Sequence, residues 1–243
     1  MSGRVTVVGL GPGSEAMVTP EVRAAMEAAT DVIGYLPYVA RVPEREGLAR
    51  HPSDNRVELD RAKHALELAA EGRHTLVVSS GDPGVFAMAS ALFEAMEGRE
   101  DWQALDVEVL PGITAMLAAA AAAGAPLGHD FACLNLSDNL KPWEVIERRL
   151  RLCADAGLAM AFYNPRSRAR PEGFGRALAV LQEVCEPQRL VIFARAVSTP
   201  DQAVRTVALA EAEPQMADMR TLVIIGSPLT RRVGRWVYTP RWA

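Results

Sequence analysis

The sequence predicts an α/β fold with mainly parallel strands, on three observations. Short runs rich in β-branched residues alternate with longer Ala-rich stretches of helical period. Most of those runs end in a cluster of Gly, Pro or Asp, which gathers the loops at one sheet edge, where open α/β sheets take ligands. The 243 residues, 49% of them hydrophobic and 23% charged, supply ample core and lie near the length at which one core becomes two. Two α/β domains are therefore expected, over 1–124 and 125–243. The boundary falls in AAGAPLGHD at 122–130, a stretch punctuated by Gly and Pro.

In the first half, runs of Val, Ile and Thr place strands at Arg4–Val8, Asp31–Gly34, Thr75–Ser79 and Asp106–Val109. The segments near 20–29, 58–72, 85–97 and 113–123 carry helical periodicity. Alanines fill 118–123, which suits a tightly packed buried helix. In the second half, strands are expected at Phe131–Leu136, Leu158–Tyr163, Leu190–Ala194, Leu222–Gly226 and Arg235–Tyr238. Helices are expected near 142–155, 172–185 and 201–209.

Composition excludes several classes of function. A formal net charge of −4 opposes a general nucleic-acid surface, so an anionic ligand must meet a local basic patch. No apolar run is long enough to span a bilayer, and no leader-like segment opens the chain, so a cytoplasmic protein is expected. Cys133, Cys153 and Cys185 are widely spaced and form no CxxC, so they read as core thiols without a disulfide or metal role.

Three loops could carry chemistry. VVGLGPGS at 7–14 closes the first strand with Gly9, Gly11, Pro12 and Gly13. A dinucleotide turn would read GxGxxG; here Pro12 removes an amide donor, which makes a poor pyrophosphate cradle and leaves a plain turn or another ligand as readings. SSGDPGVF at 79–86 sets Asp82 between a strand and the first turn of a helix, where Asp serves equally well as a simple cap. LPGITAML at 110–117 repeats the pattern, with Thr114 at a helix start. Three such loops on one edge favour a shared pocket over three separate turns.

GLGPGS, GYLPYV at 34–39, SSGDPGVF and PGITA at 111–115 resemble the tetrapyrrole methylases that use S-adenosylmethionine. GYLPYV, LNLSD at 134–138, FYNPRS at 162–167 and GSPLTRR at 226–232 are similar to the branch that methylates carbon 17 of precorrin-3B, with contraction of the macrocycle. The resemblance implies two α/β domains with the cofactor in the cleft between them, a modified tetrapyrrole (precorrin) as substrate, and a homodimer. It assigns cofactor contacts to Leu10, Gly81, Asp82, Val85, Phe86, Thr114, Ala115, Phe162, Tyr163 and Asn164, with Thr221 and Leu222 as weaker matches. Met88 is better read as core packing. S-adenosylmethionine has no phosphate, so a loop with few amide donors suffices.

Methyl transfer from a sulfonium needs alignment and exclusion of water, while ring contraction moves protons and calls for a general acid or base. Ser137, Asp138 and Lys141 in NLSDNLK are the candidates, with His129 and Asn135 behind them; turn capping and a solvated lysine are the alternative readings. Carboxylates on the substrate are best met by Arg forks. Arg166, Arg168 and Arg231 are the candidate forks, and Tyr35 and Tyr38 could face the flat macrocycle. Arg41, Arg45 and Arg50 form a further basic group. Methylation at another macrocycle carbon, a cobalt-loaded substrate, and a non-catalytic binding module remain open from sequence alone.

Overall fold

The computed structural model describes residues 3–54 and 57–242. The chain divides into two compact units, Met1–Thr114 and Ala115–Ala243.

The first unit is a five-stranded parallel sheet. Its strands are β1 (Arg4–Gly9), β2 (Asp31–Tyr35), β3 (Ala49–Ser53), β4 (His74–Ser79) and β5 (Asp106–Leu110), in the order β3-β2-β4-β1-β5. Helix α1 (Pro20–Ala28) starts cleanly, because Thr19 accepts the Val22 amide at 3.3 Å and Pro20 needs no partner for an N–H it lacks. Val22 and Met26 of α1 join Val8, Val32, Leu76 and Val78 in one core layer. On the other face α3 (Glu58–Ala70) and α4 (Met88–Met96) set Ala62, Leu66 and Leu92 among Val5, Val7, Ile33 and Val77. With helices on both faces, the central strands are apolar on both sides, which explains why they were legible as continuous runs. Short helices α2 (Leu36–Val39) and α5 (Glu100–Gln103) fill connections.

The second unit differs from the expected parallel arrangement. Among the described residues of its five-stranded sheet only β7 (Phe131–Asn135) and β8 (Ala159–Tyr163) pair in parallel. Strand β11 (Thr221–Ile225) runs antiparallel between β8 and β9 (Leu190–Arg195), and β10 (Ala203–Ala208) pairs antiparallel with β9 at the sheet edge. The helix expected over 201–209 is therefore strand β10. Its Ala-rich sequence is helix-compatible, but β9 offers a ladder for its backbone groups, and tertiary pairing overrides propensity. Helices α7 (Trp143–Asp155) and α8 (Gly173–Val184) cover one face, packing Ile146, Leu150, Phe174 and Leu181 on Phe162 and Phe193.

Helix α6 (Ala115–Ala123) covers the other face. Ala118, Ala119, Ala120 and Ala123 pack with Ala161, Ile192, Ala194, Leu222 and Ile224 of this sheet. The boundary expected between 124 and 125 thus lies at 114/115: the alanine helix is a core element of the second unit, not the end of the first. A small sheet follows it, in which β6 (Gly124–Ala125) pairs with β13 (Trp236–Tyr238) and β13 with β12 (Arg231–Val233). Since Ala119 is fully buried among side chains packed at van der Waals distance, Ala119→Leu is expected to lower unfolding free energy by about 1–3 kcal/mol, read from denaturant midpoints.

The three cysteines are free and partly buried, and burial pushes the Cys133 thiol up to about 11. Among the described residues no helix is long and apolar enough to cross a membrane.

Candidate functional site

In the first unit β4, β1 and β5 are hydrogen-bonded neighbours with Gly9 opposite Ser79 and Val8 opposite Leu110. The loops that leave their carboxyl ends must therefore emerge side by side. Gly11 and Gly81 exchange backbone hydrogen bonds at 3.1 and 2.9 Å, which ties the first loop to the second. The Asp82 carboxylate ties the second to the third: Oδ1 accepts the Gly84 amide at 2.8 Å and Oδ2 the Gly112 amide at 3.0 Å. Asp82 is a brace between loops as much as a ligand-facing acid.

The glycines explain themselves at this junction. A Cβ on Gly9 would lie 2.4 Å from the Gly81 carbonyl oxygen and 2.8 Å from the Gly112 Cα; one on Gly112 would lie 2.2 Å from that same oxygen. The bare backbone demanded by the sequence is spent on packing loop against loop, and the clustered tips form one continuous surface. Phe86 stands on it half-exposed with φ of +53°, a left-handed conformation that an aromatic residue rarely adopts and that marks functional loops. Ile113 is also partly exposed there, whereas Thr114 is buried and Val85 partly so. An apolar, partly exposed platform beside a braced carboxylate suits adenine and ribose better than a pyrophosphate, and so fits S-adenosylmethionine.

Several predicted contacts have no side chain to offer. Leu10, Phe162 and Leu222 are buried in their cores, so each can reach a ligand through its backbone alone. Thr221 is also buried, and its hydroxyl donates to Asp218 at 2.7 Å, beside the Arg195 guanidinium that donates to the same carboxylate at 2.8 Å. Met88 is core, as expected. The basic group after GYLPYV proves structural: Arg41 donates to the Leu10 and Gly11 carbonyls, Arg45 to those of Met26 and Ala29, and Arg50 to those of Val39 and Val42. Tyr35 and Tyr38 meet edge to face at 5.3 Å. Burial raises the Tyr38 phenol above its usual value against a lowering hydrogen bond with Ser80.

In the second unit, parallel pairing of Asn135 with Tyr163 brings the loops after β7 and β8 to one edge. Asn164 adopts φ of +51°, and its amide donates to Asn135 Oδ1 at 3.1 Å, which also accepts the Ser137 amide at 2.9 Å. Tyr163 accepts the Met116 amide at 2.9 Å at the start of α6, the helix that Ala115 opens. Lys141 donates to the Ser137 carbonyl at 3.0 Å. Burial, and then neighbouring Arg149, hold its ammonium below the usual lysine value, with Asp138 opposing. Arg166 donates to the Pro171 carbonyl and Arg168 is exposed. Ser137, Asp138, Lys141, Arg166 and Arg168 thus gather on this edge.

Two candidates do not join them. His129 precedes β7 and sits 3.8 Å from Asp130, about 13 Å of strand away from Ser137. Arg231 follows β11, which runs against β8, so GSPLTRR leaves at the opposite end of the sheet from YNPRS; Arg231 lies instead over the Trp242 ring at 5.4 Å. Arg231 is displaced by the direction of β11, and His129 because it precedes a strand whose far end carries Ser137. Among the described residues no group of three or more His, Cys, Asp or Glu is disposed to hold a metal ion.

Comparisons with known proteins agree with this architecture. A chain from Sinorhizobium sp., precorrin-3B C(17)-methyltransferase, is 52% identical over all of this chain and 98% of its own. A probable cobalt-factor III C(17)-methyltransferase of Salmonella typhimurium is 37% identical over 98% of each. The crystal structure of the methyltransferase CobJ superposes with a TM-score of 0.97 at 67% identity, covering 98% of this chain and all of that one. Residues 4–213 match the family model of Tetrapyrrole (Corrin/Porphyrin) Methylases, and the chain belongs to that family.

Proposed function

We propose that the protein is an S-adenosylmethionine-dependent C-methyltransferase of cobalamin biosynthesis that methylates carbon 17 of precorrin-3B with contraction of the ring to precorrin-4. The observation that carries the reading is the braced junction of Gly9, Gly81 and Gly112 under a half-exposed Phe86, in a chain that matches the precorrin-3B enzyme along its whole length. Bound S-adenosylmethionine supplies an electrophilic methyl group on a positively charged sulfur.

The chain's own residues then have three tasks. The loops at 10–13, 80–87 and 111–114 hold the cofactor, with Phe86 and Ile113 offering apolar surface and the loop backbones offering polar contacts. Arg168 and Arg166 take acetate or propionate groups of the substrate as carboxylate forks. Lys141, its proton loosened by burial, holds or releases a proton beside the oxygen substituents whose protonation changes during contraction. Ser137 fixes Lys141 through its carbonyl, and Asp138 favours the charged ammonium. A cytoplasmic homodimer is part of the same reading.

Incubation with methyl-labelled S-adenosylmethionine and precorrin-3B tests it. The expected result is transfer of label together with the spectral change of a contracted macrocycle. Label on a ring of unchanged size would remove the contraction, and absence of transfer would remove the activity. A cobalt-loaded substrate is a second reading, favoured by the Salmonella relative; parallel incubation with the cobalt form decides between them.

A further inference from the structure

Helix α3 of the first unit carries a buried cation that the reading above does not use. Arg61 is 6% exposed, and its bonds all go to uncharged acceptors: Nε to Ser53 Oγ at 2.9 Å, Nη2 to the Asp54 carbonyl at 2.8 Å, and Nη1 to Met88 Sδ at 3.2 Å. No ion pair formed among the described residues includes it. A guanidinium has five N–H groups, so one on each terminal nitrogen is left for a further acceptor. A buried charge without a counter-charge is costly to keep, and a neutral side chain would pin α3 to the end of β3 more cheaply.

Arg61 lines a cavity of about 490 Å³ between β3 and α3, together with Arg50, His51, Ser53, Asp60 and His64. The lining sets two arginines against one carboxylate, Asp60, while Glu58 acts on Arg61 from the same helix and Glu44 lies 3.9 Å from Arg50. His51 is held by the fully buried Asp31 at 2.9 Å and meets the His64 ring edge to face at 4.9 Å, so the wall is built rather than fluid. Ser53 and Arg61 lie toward the carboxyl end of the sheet, the edge that carries the clustered loops. The volume admits a carboxylate-bearing arm with its water and excludes a whole macrocycle.

We propose that this cavity is a carboxylate subsite in which Arg61 receives an anionic group of a ligand. Two sources share that chemistry on the proposed function, on which the identity of the ligand rests: the amino-acid carboxylate of the methyl donor and an acetate or propionate arm of the tetrapyrrole.

The test compares the full chain with Arg61→Met and Arg61→Lys, and with two variants at exposed positions on the cavity rim, His64→Glu and Asp60→Asn. Calorimetry with S-adenosylhomocysteine reads the first source; fluorescence titration with uroporphyrin III, which bears eight carboxylates, reads the second. Arg61→Met is expected to weaken one of the two ligands at least about tenfold, with Arg61→Lys recovering part of the loss. For that same ligand His64→Glu should weaken and Asp60→Asn strengthen binding about two- to threefold. Unchanged affinity for both ligands in folded Arg61→Met overturns the subsite. If that variant does not fold, unchanged affinities in both rim variants overturn it instead. Failure of the unaltered protein to bind either ligand would count against the methyltransferase reading itself.

Discussion

Gly112→Ala is expected to abolish measurable binding of S-adenosylhomocysteine and to destabilise the first unit by about 2–4 kcal/mol. The added methyl would sit 2.2 Å from the Gly81 oxygen and 2.7 Å from the Gly9 oxygen. Both obstacles are backbone: Gly9 ends β1, and Gly81, two residues past β4, is held by its paired hydrogen bonds with Gly11, so no rotamer change relieves the clash. One of the three loops must move, and the shared surface goes with it. Calorimetric binding and a thermal melt together check the claim. Gly98→Ala is the control for losing a glycine without a clash: its φ is +71°, unlike that of Gly112, but its Cβ meets nothing within 4 Å, so it should cost about 1 kcal/mol and leave binding intact. Equal losses in the two variants would refute the loop-packing account.

Asp82→Ala is expected to weaken cofactor binding by about tenfold or more while the fold survives, since it strips the acceptor from two amides that lie in different loops. Both amides retain some access to water, which limits the stability cost to about 1–3 kcal/mol. Asp82→Asn keeps one acceptor oxygen and should fall between the two. If Asp82 acted solely by direct contact with ligand, the third loop would keep its protection from amide hydrogen exchange in Asp82→Ala. Loss of protection at Gly112 is the expected result.

The first unit was readable because its central strands are buried on both faces and its helices are amphipathic, so burial and sequence pattern coincide. Strand β3 escaped notice: Ala49–Ser53 has no β-branched residue and contains Pro52, which only an edge strand tolerates. In the second unit the positions of β7, β8, β9, β11 and β13 were legible, β10 was read as a helix, and strand directions were not legible, because direction is set by partners far along the chain. Strand direction is what sets Arg231 apart from the YNPRS loop, whereas His129 stands apart because it precedes β7. The arginines after GYLPYV were undecided in sequence for another reason: a guanidinium that binds backbone carbonyls looks the same in sequence as one that waits for a substrate. The glycine loops were found correctly, but the sequence could not say that their empty space is filled by one another.

The pairing of Val237 with Gly124 and of Tyr238 with Ala125 gives the second unit a kinetic character of its own. Thr239 also donates to the Pro126 carbonyl across 113 residues, and closing a loop of that length costs about 4 kcal/mol in chain entropy before any contact is gained. During synthesis the first unit has all its strands once residue 114 is made. The second must wait, with the alanine helix already translated and its sheet incomplete, until residues 236–239 leave the ribosome. Its closure therefore follows that of the first unit in order, and the interval before it is when the nascent chain is most exposed to misassembly.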